Sequence, residues 1–416
     1  MSSTDPQVIR AKPLDDRKRV NVSVKSQIPT EILDNKELNA RISSSLPPNY
    51  NFEFHKTIWR LRSSGAKRVA LQFPEGLFVF AITIADIIED FTECDVIIMG
   101  DVTYGSCCID DLTANAMSCD FIVHFGHSCL VPVNHMVNGI KVLYVFVDIK
   151  IDLWHFIETI AQNFNPQTHY LSISGTVQFV SSMHSAAKEL RERHGFRVLT
   201  PQSKPLSPGE VLGCTAPQLP PEVNTIVFLA DGRFHLEAIM IANPTVDAFK
   251  YNPYNKEITQ EFYDTNKMMS FRRNAIRETT KVCNDSGVFG VILGTLGRQG
   301  NPRVLHNLIT NINKYTKCQT ISVLLPEIKA EVLGLFEEVD AWVQIACPRL
   351  SIDWGTNFTS KPLLTPFELN VSLNAVTDNY KGLTNGYAMD FYSTQSAGNW
   401  TPNHKCHQNC SCDQNK

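Results

Sequence analysis

Three times along this chain, short apolar runs alternate with amphipathic helical stretches, and this recurring alternation constrains the fold more than any other feature. In the first round the strand candidates are Val69-Ala-Leu-Gln-Phe, Val96-Ile-Ile-Met, Phe121-Ile-Val-His-Phe and Val142-Leu-Tyr-Val-Phe-Val, with an apolar helix between the first two. The second round follows a helix over 152–164. Its strands are Tyr170-Leu-Ser-Ile, Val198-Leu-Thr and Ile226-Val-Phe-Leu-Ala, and Met183, Ala186, Ala187 and Leu190 share one helical face that stops at Gly195. In the third, Val291-Ile-Leu-Gly precedes Asn301-Pro302, an N-cap followed by a proline suited to the first helical position. Ile321-Ser-Val-Leu-Leu and Ala341-Trp-Val-Gln-Ile-Ala complete it. Continuous apolar strands separated by helices imply parallel sheets covered on both faces. The expected fold is therefore α/β, with three similar domains, each a small parallel sheet flanked by helices. The expected bounds are an N-terminal arm over 1–50, domains over 51–160, 161–280 and 281–393, and a flexible Cys/His-containing tail over 394–416.

Composition narrows the function. Of 416 residues, 43% are apolar and 19% charged, and the formal net charge is -4 without a long basic stripe. No electrostatic footprint for direct nucleic-acid binding is present. The first residues are polar and lead into no apolar core of a secretory signal, and no apolar run reaches the ~20 residues of a membrane span. Twelve cysteines in such a chain are expected to be reduced thiols or metal ligands in the cytoplasm rather than a disulfide framework.

Three of those cysteines stand out, one in each round. Cys107 lies in Gly-Ser-Cys-Cys-Ile-Asp-Asp, Cys214 in Leu-Gly-Cys-Thr-Ala-Pro and Cys347 in Ile-Ala-Cys-Pro-Arg-Leu-Ser. Each follows a strand candidate, and open α/β sheets bind ligands at the carboxyl ends of their strands. The correspondence is imperfect, because Cys347 follows the third strand of its round and the other two follow the second. Thiolates are soft ligands that select zinc, copper(I) or iron–sulfur clusters. None of the three has a closely spaced partner of the kind structural zinc uses. Three isolated thiolates suit a [4Fe–4S] cluster with one iron left open; three unrelated structural cysteines are the competing interpretation that spacing alone leaves standing.

Leu71-Gln-Phe-Pro-Glu-Gly, Gly100-Asp-Val-Thr-Tyr-Gly-Ser-Cys-Cys-Ile-Asp-Asp, His124-Phe-Gly-His-Ser-Cys-Leu, Leu212-Gly-Cys-Thr, Asp231-Gly-Arg-Phe-His, Gly294-Thr-Leu-Gly-Arg-Gln-Gly-Asn-Pro and Cys347-Pro-Arg-Leu-Ser-Ile-Asp-Trp-Gly closely resemble the diphthamide-synthesis family. The resemblance covers about residues 50–404, including Tyr392 and Asn399-Trp-Thr-Pro-Asn-His, and within the family it is nearest to the cluster-bearing subunit of the eukaryotic enzyme. It implies three domains around a [4Fe–4S] cluster held by Cys107, Cys214 and Cys347, which would be catalytic through that cluster. It further implies radical cleavage of S-adenosylmethionine to methylthioadenosine and a 3-amino-3-carboxypropyl radical, which adds to the imidazole C2 of a histidine in translation elongation factor 2. A second subunit forming a heterodimer and an electron-donor protein are the other implied partners. A noncatalytic iron–sulfur or zinc scaffold subunit is the alternative.

Within these motifs Gln72, Asp101, Gly232, Arg233, Gly297, Arg298, Gln299 and Arg349 are candidates to bind S-adenosylmethionine. The arginines follow strands, where a guanidinium can take a carboxylate bidentately, although a salt bridge explains any one of them equally. The 294–300 loop precedes a capped helix whose amino terminus favours anions. Glu75 and Asp231 are hydrogen-bonding or capping candidates, and His127 and Cys129 lie at a strand end facing the expected cleft. The family pattern favours Cys107 over Cys108 as ligand. Cys406, Cys410 and Cys412 form a separate C-x3-C-x-C cluster.

Overall fold

The computed structural model describes residues 28–358, 360–375 and 386–405. A two-residue antiparallel pair, β1 (Tyr50–Asn51) with β6 (Asp148–Ile149), ties the start of the first domain to its end. Between them β2 (Arg68–Gln72), β3 (Asp95–Ile98), β4 (Phe121–Phe125) and β5 (Lys141–Val145) form a parallel sheet in the order β3-β2-β4-β5. Every residue of β4 is buried, as expected of a strand with helices on both faces.

The same spatial order, second, first, third, fourth, recurs twice. In the second sheet β7 (Tyr170–Gly175), β8 (Arg197–Leu199), β9 (Thr225–Leu229) and β10 (Asp247–Asn252) are parallel, and β11 (Glu257–Glu261) is added antiparallel to β10. In the third, β12 (Val288–Gly294), β13 (Gln319–Leu325), β14 (Ala341–Ile345) and β15 (Leu363–Leu364) run parallel in the order β13-β12-β14-β15. The second sheet is thus mixed rather than purely parallel. β11 escapes the apolar-run criterion because it is a polar edge strand, Glu-Ile-Thr-Gln-Glu, with no side fully buried.

Packing redraws the expected bounds. The helix Leu153–Asn163 crosses the expected boundary at 160 and buries Phe156, Ile157 and Ile160 in the core of the second sheet. The helix Thr265–Asn284 crosses the one at 280. Its Met268 and Met269 enter a core shared with Ile226, Phe228 and Ile239, while Val282 and Cys283 pack on the third sheet. That shared core also takes Phe367, Tyr387 and Trp400, so the second and third units are continuous. The N-terminal arm docks as well. Asn35 caps the helix Lys36–Ser45, and Ile32, Leu38 and Leu46 join the first core. Residues 394–405, expected to belong to a mobile tail, are instead pinned. Trp400, Thr401 and His404 are buried, and the Arg303 guanidinium donates to the Pro402 carbonyl at 2.5 Å. A few well-placed contacts anchor a segment whose polar composition hides them. Cys406, Cys410 and Cys412 lie outside the described residues. Among the described residues no helix is long and apolar enough to cross a membrane.

Candidate functional site

Each of the three cysteines is presented by a different local device. Cys107 sits in the turn Ser106–Cys108, which follows β3. Cys214 occupies the tip of a tight loop closed by reciprocal backbone bonds between Leu212 and Thr215, at 3.0 and 3.2 Å. Cys347 follows β14 after one intervening residue and immediately precedes the helix Pro348–Phe358, where the Arg349 backbone N–H bonds its sulfur. A helix amino terminus of this kind favours a thiolate.

The loops converge. Cys107 and Cys214 pack in one apolar chamber with Leu130, Leu206, Leu212, Phe391 and Tyr392. Burial and then the nearby Cys347 thiol push Cys214 up to about 12. Burial likewise pushes Cys347 up to about 11. Tyr392 packs in the same chamber, and burial and then the nearby thiols raise its hydroxyl. Cys108 is turned away from that chamber, into a smaller pocket of about 120 Å³ with Gln72, Asp101 and Gly297. Its sulfur is 3.9 Å from that of Cys107 and takes the Gln299 amide at 3.8 Å.

All nine described cysteines are free. Among the described residues no three His, Cys, Asp or Glu groups stand close enough to share a single metal ion. A cluster interposes its own iron and sulfide between thiolates, and an apolar, three-thiol chamber has the donor chemistry for it.

Two arginine clamps, one buried and one partly exposed, hold the three loops together. Arg349, 1% exposed, donates to Asp353 at 2.8 Å, to Glu237 at 2.5 Å, and to the carbonyls of Phe234 and Gly213 at 2.9 and 3.4 Å. It thereby joins the Cys347 helix to the Cys214 loop. Arg298 forks onto Asp111 at 2.7 and 2.6 Å, and its backbone N–H donates to the Cys107 carbonyl at 2.8 Å. Arg233 is engaged by Glu237, Glu261 and the Phe262 carbonyl. All three guanidinium groups bind protein acceptors, so their visible work is to position loops. Two glycines permit the close approach. Gly297 has φ +54° and a Cβ there would lie 2.5 Å from the Cys108 carbonyl carbon; at Gly213 it would lie 2.1 Å from the Phe234 ring.

Beside the chamber, sharing Leu212 with it, lies a cavity of about 590 Å³ between the first and second sheets. It opens at the carboxyl ends of β2, β4, β5, β7 and β9, where parallel sheets bind ligands. Gly232 and Arg233 line it, as do Asp231, His127 and His235. Thr176 Oγ1, on its wall, is buried with no hydrogen-bond partner, a group that a polar ligand would satisfy. Val147, also on the wall, has φ +58°, a strained conformation for a β-branched residue that costs about 1–3 kcal/mol and concentrates at functional sites. Glu75 is exposed at the start of the helix Glu75–Phe78, and Cys129 is exposed. Neither lines this cavity.

Sequence reasoning overlooked the chamber wall and a buried polar chain. Tyr392 was legible only through the family resemblance, with Phe391 unmarked, and nothing local marked Glu210, which accepts from Ser128 at 2.5 Å across the first two domains.

A family model described as a putative diphthamide synthesis protein matches residues 73–382. The chain is 51% identical over 381 residues to the Homo sapiens 2-(3-amino-3-carboxypropyl)histidine synthase subunit 1, with 92% of this chain and 84% of that protein covered. Against the Schizosaccharomyces pombe protein of the same name the identity is 50% over 392 residues, covering 93% and 86%. A crystal structure of Dph2 from Pyrococcus horikoshii with a 4Fe-4S cluster superimposes with a TM-score of 0.64 at 24% identity, over 82% of this chain and 94% of that one. At that identity the likeness concerns the fold.

Proposed function

The chain belongs to the diphthamide-synthesis family, and from that membership we propose that it is the cluster-bearing subunit of the first step of diphthamide biosynthesis, a 3-amino-3-carboxypropyl transferase. The observation that carries this is the convergence of three thiols, one from each domain: Cys107 and Cys214 pack in an apolar chamber that abuts a polar cavity, and Cys347 lies near enough to both to act on their thiols. Cys107, Cys214 and Cys347 would hold a [4Fe–4S] cluster, and the chemistry it would supply when bound is the one-electron reduction that cleaves the carbon–sulfur bond between the S-adenosylmethionine sulfonium and its amino-acid side chain. Leu130, Leu206, Leu212, Phe391 and Tyr392 keep water from the thiols, and Arg298 and Arg349 fix the loops that bear them. The 590 Å³ cavity takes S-adenosylmethionine and, from its mouth, the target histidine of elongation factor 2. Gly232 and Arg233 contact the cofactor from the cavity wall; Gln72, Asp101, Gly297 and Gln299 do so from the Cys108 side, and Arg298 and Arg349 act chiefly through the loops. The partners are a second subunit, an electron-donor protein and the factor itself, and the setting is the cytoplasm.

The test is iron, sulfide and visible absorbance on the anaerobically purified chain with its partner subunit, for the wild type and for Cys107→Ala, Cys214→Ala and Cys347→Ala, followed by methylthioadenosine release. A four-iron cluster lost or crippled in each variant is expected. A wild type that stays metal-free after reconstitution with the partner overturns the proposal.

A further inference from the structure

Behind the cavity wall runs a chain of buried polar groups that begins at Gln72 and continues through two histidines to which the proposed cluster chemistry gives no role. His127 Nδ1 lies 3.1 Å from His124 Nε2, and His124 Nδ1 lies 3.2 Å from Gln72 Oε1. Gln72 Oε1 also accepts from the Asp110 backbone N–H at 3.2 Å, while Gln72 Nε2 donates to the Cys108 carbonyl at 3.4 Å. A backbone N–H only donates and a carbonyl only accepts, so these two contacts fix the orientation of the Gln72 amide. Its oxygen, already accepting from Asp110, requires a proton on His124 Nδ1.

The tautomers then follow by exclusion. His124 is fully buried, and burial first, then the neighbouring His127, lowers its pKa well below the ordinary value, so it is neutral. With its proton on Nδ1, its Nε2 is an acceptor, and His127 Nδ1 must donate to it. His127 is also neutral, lowered to about 3 by burial and next by His235, with the hydrogen bond its ring N–H gives the Phe125 carbonyl opposing. Its Nε2 therefore carries a lone pair, on a ring that lines the 590 Å³ cavity.

We propose that the His127–His124–Gln72 chain presents His127 Nε2 to the cavity as a fixed hydrogen-bond acceptor that takes a ring N–H of the target imidazole. This inference rests on the functional reading above. Imidazole C2 lies between the two ring nitrogens, so holding either N–H in place holds C2 within one bond of it. A protonated histidine would offer a donor and repel an imidazolium; a neutral one locked in the other tautomer would present a donor too. The buried chain excludes both, and it leaves an acceptor suited to an N–H heterocycle.

Two measurements test this. In the apo protein, histidine nitrogen NMR with selective labelling, with His127 assigned by its substitution, is expected to show the Nδ1–H tautomer of His127 at neutral pH; an Nε2–H tautomer overturns the proposal without reference to any activity. In the reconstituted two-subunit enzyme with S-adenosylmethionine and unmodified elongation factor 2, the ratio of modified factor to methylthioadenosine is the second readout. Asparagine reaches the Nδ1 position and glutamine the Nε2 position. His127→Asn is expected to lower the ratio at least about ten-fold, the scale of one lost buried hydrogen bond. His127→Gln should recover most of it, with iron content reporting the integrity of each variant. A ratio unchanged in His127→Asn, or equally poor in His127→Gln, overturns the inference while the functional reading stands. Absence of methylthioadenosine from the wild type sinks that reading instead, and the tautomer measurement still decides the acceptor.

Discussion

Replacing Arg349 with methionine removes a guanidinium that is 1% exposed while sparing its apolar volume. Asp353, with its side chain 15% exposed, loses its arginine partner; Glu237, 19% exposed, loses one of two and keeps Arg233; the Gly213 and Phe234 carbonyls lose a donor as well. Breaking a buried ion pair from one side costs about 3–5 kcal/mol, and the residual exposure of both acids puts this case near about 3–4 kcal/mol. With a urea slope of about 2 kcal/mol/M, the transition that reports the second and third units falls by about 1.5–2 M. The loss has a pH signature. Burial already outweighs the pull of Arg349 and holds the Asp353 carboxyl above its usual range; without the arginine it rises further. A carboxyl whose folded pKa exceeds its unfolded one binds more protons when folded, so its contribution to stability declines as pH rises through and above the ordinary carboxylate range. The variant should therefore lose less at about pH 5 than at about pH 7.5. Arg349→Lys keeps a charge without the fork and should fall between. A midpoint shift below about 0.5 M, or one of equal size at both pH values, refutes the clamp as described.

Two further outcomes follow from the same geometry. Gly297→Ala forces a side chain into φ +54° and against the Cys108 backbone; a penalty of at least about 1–2 kcal/mol is expected in the same urea assay, with reduced iron per chain after reconstitution. Asp111 is raised by burial but lowered more by Arg298 and the Val137 N–H, so its carboxyl sits below the usual range. The stability it contributes is present above the unfolded carboxylate pKa and is lost as pH falls through the folded one. In acid titrations Asp111→Asn should flatten this part of the profile, and an unchanged profile would show that the contact between the first and third domains does not depend on that charge.

The sequence by itself determined the three-fold strand–helix alternation, because a strand buried on both faces must be apolar throughout and that pattern survives in one dimension. It also determined the thiols, since Cys107, Cys214 and Cys347 each follow a strand at a glycine- or proline-marked turn. Edge and boundary features were not legible: β11 is polar on an edge, and the helices Leu153–Asn163 and Thr265–Asn284 are claimed by cores whose other members are far away in the chain. Tertiary structure alone decided that Cys107 rather than Cys108 enters the chamber, that Tyr392 packs in it, and that the three arginines spend their donors on protein carboxylates and carbonyls. It also joined His127 through His124 to Gln72, whose amide is oriented by the Asp110 N–H and the Cys108 carbonyl from more than thirty positions away. Periodicity records which face of an element is buried; it carries no information about which distant donor meets which acceptor, and the chemistry of this site is made of such meetings.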